Sequence, residues 1–265
     1  MLGSTFTFSR TVAGAVILTA TMATAAEALP QFTLNPTAVG LNGSGSFTAD
    51  NIIISDFSTV VLTPNGKGGA NFTDTGVLPV SAFQLGSSFV SGQGLNTSYG
   101  LYFGFDATGV QNTPTFTSAT DGVFTSLNYT LYGYNITGPV SYQPSNTTPT
   151  GVAAPIALAT GTLIDGGVGA TTVGGVAVPN ASTLLTFTPT AAGQPFFVNP
   201  NPFYQAVFSA FTNNPSQIIT TADGFIINQG GGSANFLATA TPEPATMALL
   251  GVGLLGLGIL RRRAA

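Results

Sequence analysis

The chain has 265 residues, of which only 5% are charged, against about a quarter in an average soluble domain. It contains no His, no Cys and no Trp. Catalytic triads that need imidazole or thiol are therefore excluded, as are metal sites built on these ligands. The sequence pI is near 4.3 and a single Lys lies between the two ends, so we expect no nucleic-acid partner.

The first 28 residues have the parts of a secretory signal peptide. Arg10 supplies a positive charge, and a short, mostly apolar run follows it. Small residues at Ala-x-Ala spacing are typical of a signal-peptidase site. Two such pairs occur here, formed by Ala23, Ala25, Ala26 and Ala28. We therefore expect residues 1–28 to be removed during export.

The carboxyl terminus has three parts in a fixed order. Pro242, Glu243 and Pro244 come first, an apolar run over 245–260 follows, and Arg261, Arg262 and Arg263 come near the end. As a helix the run is about 24 Å long, somewhat short for a hydrocarbon core of about 30 Å. Arginines beside a span stay cytoplasmic, so we expect the rest of the chain outside. A transient transmembrane anchor is favoured, and a permanent single span stays open.

This tail resembles the PEP-CTERM sorting signal of exopolysaccharide-producing Gram-negative bacteria. The resemblance implies that residues 241–265 are the sorting segment and that Pro242, Glu243 and Pro244 are its recognition element. It also implies an exosortase, a membrane-embedded transpeptidase, as the processing partner. The expected route is transient anchoring in the inner membrane and then release to the outer surface or extracellular matrix.

The remaining body, residues 29–240, is predicted to be antiparallel and all-β, as a sandwich or a barrel-like fold. Apolar and smaller residues alternate over Tyr99–Asp106, which is typical of a half-buried strand. β-branched or aromatic runs bounded by turn residues occur at Ile52–Ile54 and Thr183–Phe187. The absence of Cys means that this body depends on core burial for its stability. The sequence also allows a subdivision near residue 145.

One short helix is predicted near 202–212. Asn201 is a favourable cap, and Pro202 follows at the first helical position. Apolar residues then recur at helical spacing from Phe203 to Phe211. We expect this aromatic stripe to pack in the core.

Turns and loops are predicted from Asp, Gly and Pro. Asp121-Gly122, Asp165-Gly166 and Asp223-Gly224 each lie between strand-like runs and predict tight hairpin turns. Gly138–Ala154 is rich in Pro, Ser and Thr and predicts a long surface loop or a boundary. Two glycine-rich stretches predict flexible joints, at 166–175 and 230–232.

The carboxylates form no catalytic pattern in the sequence. Asp74-Thr75-Gly76 matches the triplet of aspartic proteases, but that chemistry needs a second carboxylate, and no second triplet exists. The seven Asp residues of the body are isolated along the chain and mostly adjoin predicted turns or strand ends, which disfavours a polysaccharide hydrolase. We therefore predict no catalytic residue, no cofactor and no enzyme activity.

Calcium is the one metal that the composition leaves open. Oxygen ligands are plentiful, but no Asp-x-Asp run and no calcium-binding nonapeptide is present. The sequence therefore predicts no metal residue. An isolated site made of loop carbonyls and one Asp stays open.

Tyrosines cluster at Tyr129, Tyr132 and Tyr134, with Tyr142 a few residues later. Exposed rings at these positions would stack on sugars, whereas a strand would place them in the core. We favour the core.

Short motifs spread over the body resemble the flocculation-associated PEP-CTERM proteins of floc-forming bacteria. They are Ala28–Pro36, Phe47–Asp50, Tyr99–Tyr102 and Pro202–Tyr204. The resemblance implies a secreted protein that associates with exopolysaccharide or cell-surface glycans and promotes cell aggregation, as in a biofilm. A lectin-like module with one defined glycan pocket is the first alternative, and a polysaccharide hydrolase is the second.

Overall fold

The computed structural model describes residues 29–238, and nearly all of its regular structure is β-strand. The predicted signal peptide and the predicted sorting segment, with its span at 245–260, lie outside the described residues. Within the described range no helix is long and apolar enough to cross a membrane. The all-β prediction is confirmed, and the division of the chain into three segments stays a prediction.

Fourteen strands and three short 3₁₀ helices follow one another along the described chain. The strands are β1 (Phe32–Leu34), β2 (Phe47–Ala49), β3 (Asn51–Pro64), β4 (Ala70–Leu85), β5 (Ser88–Phe89), β6 (Tyr99–Gln111), β7 (Asp121–Asn135), β8 (Ile156–Val173), β9 (Val176–Thr186), β10 (Thr188–Pro189), β11 (Phe197–Asn199), β12 (Ala206–Thr212), β13 (Ile218–Thr221) and β14 (Gly224–Phe236). The 3₁₀ helices are Pro36–Val39, Gln194–Phe196 and Pro215–Gln217.

Eight strands form a closed sheet in which every neighbouring pair is antiparallel. The order is β8, β7, β6, β4, β3, β14, β12 and β9, and β9 pairs again with β8. In the closing pair, Gly167 lies opposite Ser182 and Val168 lies opposite Ala181. Strands β5, β10 and β13 extend its margins, and β11, β1 and β2 form a separate small sheet. Of the two predicted architectures, the structure is therefore the barrel-like one.

The core fills the inside of the closed sheet because side chains alternate along each long strand. On β3, for example, the even-numbered residues from Ile52 to Leu62 are buried and point inward. A single large cluster of Phe, Leu, Ile and Val side chains occupies this space. The predicted strands at Ile52–Ile54, Tyr99–Asp106 and Thr183–Phe187 lie in β3, β6 and β9, with Asp106 inside its strand and Phe187 one residue beyond β9.

Aromatic side chains cover both ends of the closed sheet. At one end Phe32 of the small sheet packs on Phe236 at the end of β14, with ring centroids 5.0 Å apart. At the other end Phe116, in the loop between β6 and β7, packs on Phe225 at the start of β14, with ring centroids 4.7 Å apart. The interior is therefore enclosed by apolar rings at both ends.

The predicted helix near 202–212 is wrong, because this segment contains strand β12. Residues of β12 pair with β9 on one side and with β14 on the other, for instance Val207 with Leu185 and with Phe236. Pairing on both sides satisfies the backbone of a central strand, and this tertiary gain overrides local helix signals. Side chains along this segment alternate between the two faces of the sheet, as expected for a strand: Val207 points inward and Phe208 is 40% exposed.

Of the three predicted Asp-Gly turns, one is confirmed. Asp223 is the second residue of the two-residue turn between β13 and β14, and Gly224 begins β14, whereas Asp121-Gly122 begins β7 and Asp165-Gly166 lies within β8. The hairpin that follows β8 turns instead at Gly174-Gly175, where φ is +57° and +82°. Positive φ at both turn residues suits glycine and matches the twist of the flanking strands.

Apart from the hairpin turn at Gly174-Gly175, the two glycine-rich stretches are strand and not flexible joints. Residues 166–173 belong to β8, and residues 230–232 belong to β14. Their backbones pair with neighbouring strands, so the hydrogen bonds of the sheet hold them in place. The predicted loop over Gly138–Ala154 is confirmed as the connection between β7 and β8, which are hydrogen-bonded neighbours.

The register between β12 and β14 predicts unequal losses of stability for two phenylalanines, Phe208 on β12 and Phe236 on β14. Truncation of buried Phe236 to Ala should lower the free energy of unfolding by about 3–5 kcal/mol, because it leaves a cavity in the core. Phe208→Ala, on the exposed face of β12, should lower it by less than about 1 kcal/mol. Equilibrium urea unfolding of the full chain measures both. Equal losses would contradict the described register.

Candidate functional site

The residues predicted to act in export lie outside the described chain. These are Pro242, Glu243, Pro244, Arg261, Arg262, Arg263, Ala23, Ala25, Ala26 and Ala28. Their roles stay predictions from the sequence. The described residues contain four further features with chemical potential: a tyrosine cluster, an interior cavity, a surface groove and a polar sheet face.

The tyrosine cluster lies on the outer face of the closed sheet, beneath the loop that joins β7 to β8. The rings of Tyr102 and Tyr132 stack with centroids 5.1 Å apart, and the hydroxyl oxygens of Tyr134 and Tyr142 are 2.9 Å apart. The cluster consists of Phe57, Val77, Tyr102, Tyr132, Tyr134 and Tyr142, with Ile136, Val140 and Val152 packed against it.

The tyrosines are packed and do not form a sugar platform. Tyr102 and Tyr134 are fully buried, Tyr132 and Tyr142 are half-buried, and Tyr129 points into the interior of the closed sheet. Burial raises the pKa of Tyr102 to about 12, so its hydroxyl stays protonated in ordinary buffers. The preference for core packing is therefore confirmed, although most of these rings belong to a second core outside the closed sheet.

A cavity of about 110 Å³ lies inside the closed sheet. Most of its lining is apolar, with rings such as Phe103, Phe124 and Tyr129. Several polar side chains also line it: Asp56, Asp74, Gln111, Thr120, Asn180, Thr183, Ser209 and Asn213. Thr183 and Ser209 satisfy each other through a hydrogen bond of 2.6 Å. By contrast, Oδ1 of Asp56 and Oδ1 of Asp74 have no hydrogen-bond partner among the described residues, which makes these two carboxyl groups the chemically unusual part of the cavity.

Asp56 and Asp74 form a buried carboxyl pair. Asp56 is 5% exposed on β3, and Asp74 points inward from the neighbouring strand β4. Burial raises the pKa of Asp56 to about 7, while the hydroxyl of Ser58 lowers it in part. Burial is the largest cause that raises the pKa of Asp74 well above its usual range, and repulsion by the Asp56 carboxylate raises it further. The hydroxyl of Ser58 again lowers the pKa in part.

Sequence reasoning missed this pair. It treated the Asp residues as isolated and mostly close to turns, which is wrong for Asp56 and Asp74 because both lie well inside long strands. The sequence does contain a sign of their inward position. Asp56 and Ser58 are even numbers of residues away from Ile52, Ile54 and the other inward residues of β3, so they lie on the same face of that strand. No group of three or more His, Cys, Asp or Glu that could hold a metal occurs among residues 29–238.

A polar groove of about 600 Å³ lies at the surface between two loops. Glycine turns shape its wall, with φ of +78° at Gly92 and +90° at Gly94. Ser44 fastens the loops together by donating a hydrogen bond of 2.8 Å to the carbonyl of Gly92. Its lining carries no charged side chain and consists of Asn42, Gly43, Ser44, Ser81, Ala82, Val90, Ser91, Gly92, Gln93, Gly94, Leu95, Thr97 and Ser98.

An exposed aromatic residue, Phe89, comes directly before one of the residues that line this groove. Phe89 is 67% exposed, the highest value among the large apolar side chains of the described chain. It precedes Val90, which lines the groove, and it pairs with Gln84 in the β4–β5 hairpin. Exposed aromatic faces and uncharged hydrogen-bonding groups are the two kinds of contact that sites for neutral sugars use.

The outer face of the closed sheet carries rows of hydroxyl and amide side chains. In one row Thr75 lies opposite Asp106, which lies opposite Asn128, which in turn lies opposite Thr162. Cross-strand hydrogen bonds order the rows, as between Asn128 Nδ2 and Asp106 at 3.3 Å. We call this surface the hydroxyl face, and its members are Thr73, Thr75, Thr108, Thr125, Asn128, Thr160, Thr162, Thr186 and Thr188.

Comparison with known proteins identifies the tail. A model of the PEP-CTERM protein-sorting motif matches residues 240–263, which include Pro242–Pro244 and the three arginines. Proteins with this motif are exported with a carboxyl-terminal sorting signal, and the motif marks a substrate of exosortase processing. No curated protein and no solved structure matches the chain. The resemblance to flocculation-associated proteins therefore stays a prediction.

The raised pKa of Asp56 predicts how stability depends on pH. Its carboxyl has a pKa of about 7 in the folded chain and 3.8 ordinarily, so between these values the folded state binds more protons than the unfolded state. In buffer that contains EDTA, the free energy of unfolding should fall as pH rises from about 4 to 7. The fall should reach up to about 1.4 kcal/mol per pH unit for each additional proton that the folded state binds. Denaturant titrations at several pH values measure this slope.

Asp56→Asn should make that slope less steep, because the amide does not titrate, and the part that remains comes from Asp74, whose pKa is also raised by burial. Asp106→Asn is the matched control, since Asp106 is exposed on the outer face of the same sheet, and it should leave the slope unchanged. A wild-type stability that rises over this pH range would contradict the described burial of the pair.

Proposed function

We propose that this chain is an exported surface or matrix protein that promotes cell aggregation by binding exopolysaccharide. The sorting motif at residues 240–263 supports export through the exosortase system. The hydroxyl face is the observation that carries the adhesive part of the proposal. The proposed role is binding alone and requires no catalytic step.

The hydroxyl face suits weak binding to a polysaccharide. Its Thr and Asn side chains both donate and accept hydrogen bonds, as sugar hydroxyls do. Each such bond contributes only about 0.5–1.5 kcal/mol net, because water competes for the same groups. Regular spacing across four neighbouring strands repeats this weak contact over an extended surface.

Multivalency converts weak contacts into lasting attachment. Many copies of the protein along one polymer turn successive binding events into intramolecular ones, which raises the overall avidity without any strong single site. The low charge of the body fits this mode, because seven Asp and one Lys provide little ionic attraction or repulsion. We therefore expect binding to a neutral polymer to depend only weakly on salt.

A lectin-like module is the second candidate, and the groove together with Phe89 favours it. The groove is uncharged and lined by Ser, Asn, Gln and Thr groups, and its volume of about 600 Å³ admits a short oligosaccharide. In this case one site would bind one sugar with sharp specificity. The two candidates place recognition on different surfaces, so different variants separate them.

Removing hydroxyl groups from the hydroxyl face should weaken attachment to the polymer. The triple variant Thr108→Val, Thr125→Val and Thr162→Val keeps the side-chain shapes and removes the hydroxyls. Its fraction bound to the cells' own exopolysaccharide in co-sedimentation should fall about threefold or more. In cells that lack the gene, this variant should restore flocculation less than the wild-type chain while polymer secretion stays unchanged.

A matched control replaces exposed threonines elsewhere, at Thr172, Thr220 and Thr221, with Val. These residues lie on β8 and β13 outside the hydroxyl face, so the control should bind and flocculate as the wild type does. If both triple variants behave alike, or if cells without the gene flocculate normally, the adhesive proposal is wrong.

The lectin-like candidate places recognition at the groove and at Phe89. If the chain is a lectin, a glycan array should show one sharply preferred sugar, and Phe89→Ala should weaken its binding about tenfold through loss of ring stacking. Leu85→Ala is the control, since Leu85 is exposed on the same hairpin without an aromatic face. A broad array profile that Phe89→Ala does not change rules out this candidate.

A further inference from the structure

Nine buried side-chain oxygen atoms have no hydrogen-bond partner among residues 29–238, and four of them lie near one another inside the closed sheet. These four are Oδ1 of Asp56, Oγ of Ser58, Oδ1 of Asp74 and Oδ1 of Asn213. Asp56, Ser58 and Asn213 are 5%, 0% and 9% exposed, so water outside the protein does not reach them. Buried polar atoms in folded proteins are nearly always paired, because an unpaired one costs free energy. This group therefore calls for a ligand.

The fold brings three of these side chains together from two neighbouring strands. Asp56 and Ser58 are two residues apart on β3, so they point into the same interior. Ser58 lies opposite Gly76 on β4, and Asp74 is two residues from Gly76. The Ser58 hydroxyl consequently lies beside both carboxyl groups, and its influence on both of them reflects this position.

Asn213 reaches the same place from the end of β12. Its Nδ2 donates a hydrogen bond of 3.0 Å to the carbonyl of Pro179, which leaves Oδ1 facing the other way. Gly230 on β14 lies opposite Asp56 and makes room for it. A Cβ at Gly230 would overlap Asn213 Oδ1 and lie 3.1 Å from Asp56 Cβ, so the amide oxygen is close to Asp56.

The chemistry of this cluster is that of a hard cation site. Two carboxylates, one amide oxygen and one hydroxyl all present oxygen, which is the ligand that calcium prefers. No protein cation balances the carboxylates, since Lys67 is the one Lys or Arg in the described chain and lies exposed in the β3–β4 turn. Two carboxylates match a charge of +2. Magnesium suits less well, because it requires near-ideal octahedral geometry and gives up water reluctantly.

We propose that Asp56, Ser58, Asp74 and Asn213 bind a calcium ion inside the closed sheet. The cavity of about 110 Å³ leaves space for water to complete the coordination. The ligands of the ion come from β3, β4 and the segment after β12. Because β3 and β12 are the two neighbours of β14, the ion links the strands on either side of β14 and stabilises the closed sheet. This site is independent of the surfaces proposed for polysaccharide.

Thermal unfolding of the full-length chain in detergent tests the proposal. After the protein is stripped with EDTA, 5 mM CaCl2 should raise Tm by about 5 °C or more, and MgCl2 or NaCl at equal ionic strength should raise it less. Asp74→Asn and Asn213→Leu should each remove most of the calcium shift. Asp106→Asn, which removes an exposed carboxylate from the same sheet, should keep it.

A terbium experiment keeps the proposal testable where a variant fails to fold. Tyr129 lines the same cavity and the chain has no Trp, so excitation of tyrosine should sensitise terbium emission at this site. Calcium should displace the terbium and quench the emission. Tyr129→Phe should reduce the emission while the calcium shift in Tm persists.

Two results would overturn the proposal. One is a stripped wild-type protein whose Tm does not change with calcium. The other is a calcium shift that persists in the double variant Asp56→Asn and Asp74→Asn, since that shift would come from exposed carboxylates elsewhere. If calcium does not change Tm, Asp56 and Asp74 form a carboxyl pair that keeps its protons, and water occupies the cavity in place of the ion.

Discussion

Pairing between β8 and β9 is the interaction on which the rest of the structure depends. It joins the two ends of an eight-strand sheet, so no long strand in the circuit keeps an unpaired edge. Soluble sheets often protect their edges with charged side chains, especially Lys. This body has one Lys, so it cannot protect its edges in that way. Closure provides the protection by geometry, and it also creates an inside in which polar groups can be held away from water.

The inside and the outside of this sheet then carry different chemistry. Alternation along each strand directs Asp56 and Asp74 into the core while Asp106 and Asn128 point outward. Outside, hydroxyl and amide groups are in contact with solvent. Inside, oxygen atoms of Asp56, Ser58, Asp74 and Asn213 lack partners, and burial raises the pKa of both carboxyl groups. The same residue types therefore act as a solvated surface in one place and as a costly buried group in the other.

The sequence predicts the strands well and their partners poorly. Alternation over Tyr99–Asp106 and the β-branched run at Ile52–Ile54 depend on near neighbours in the chain, and both are strands in the structure. The helix near 202–212 fails because its capping and stripe signals are local, whereas β12 is fixed by pairing with β9 and β14. The inward parity of Asp56 was readable from the sequence. The approach of Asn213 to Asp56 was not, because it depends on the closure of the sheet and on Gly230.

The contact between Phe32 and Phe236 sets the polarity of the molecule. These residues lie near the two limits of the described chain, and their rings touch, so both limits are at one pole. The turns at 65–69, 174–175 and 222–223, together with the loop at 112–120, lie at the opposite pole. In a molecule attached through its tail, these turns, with Lys67 among them, would therefore lie at the pole opposite the point where the described chain ends.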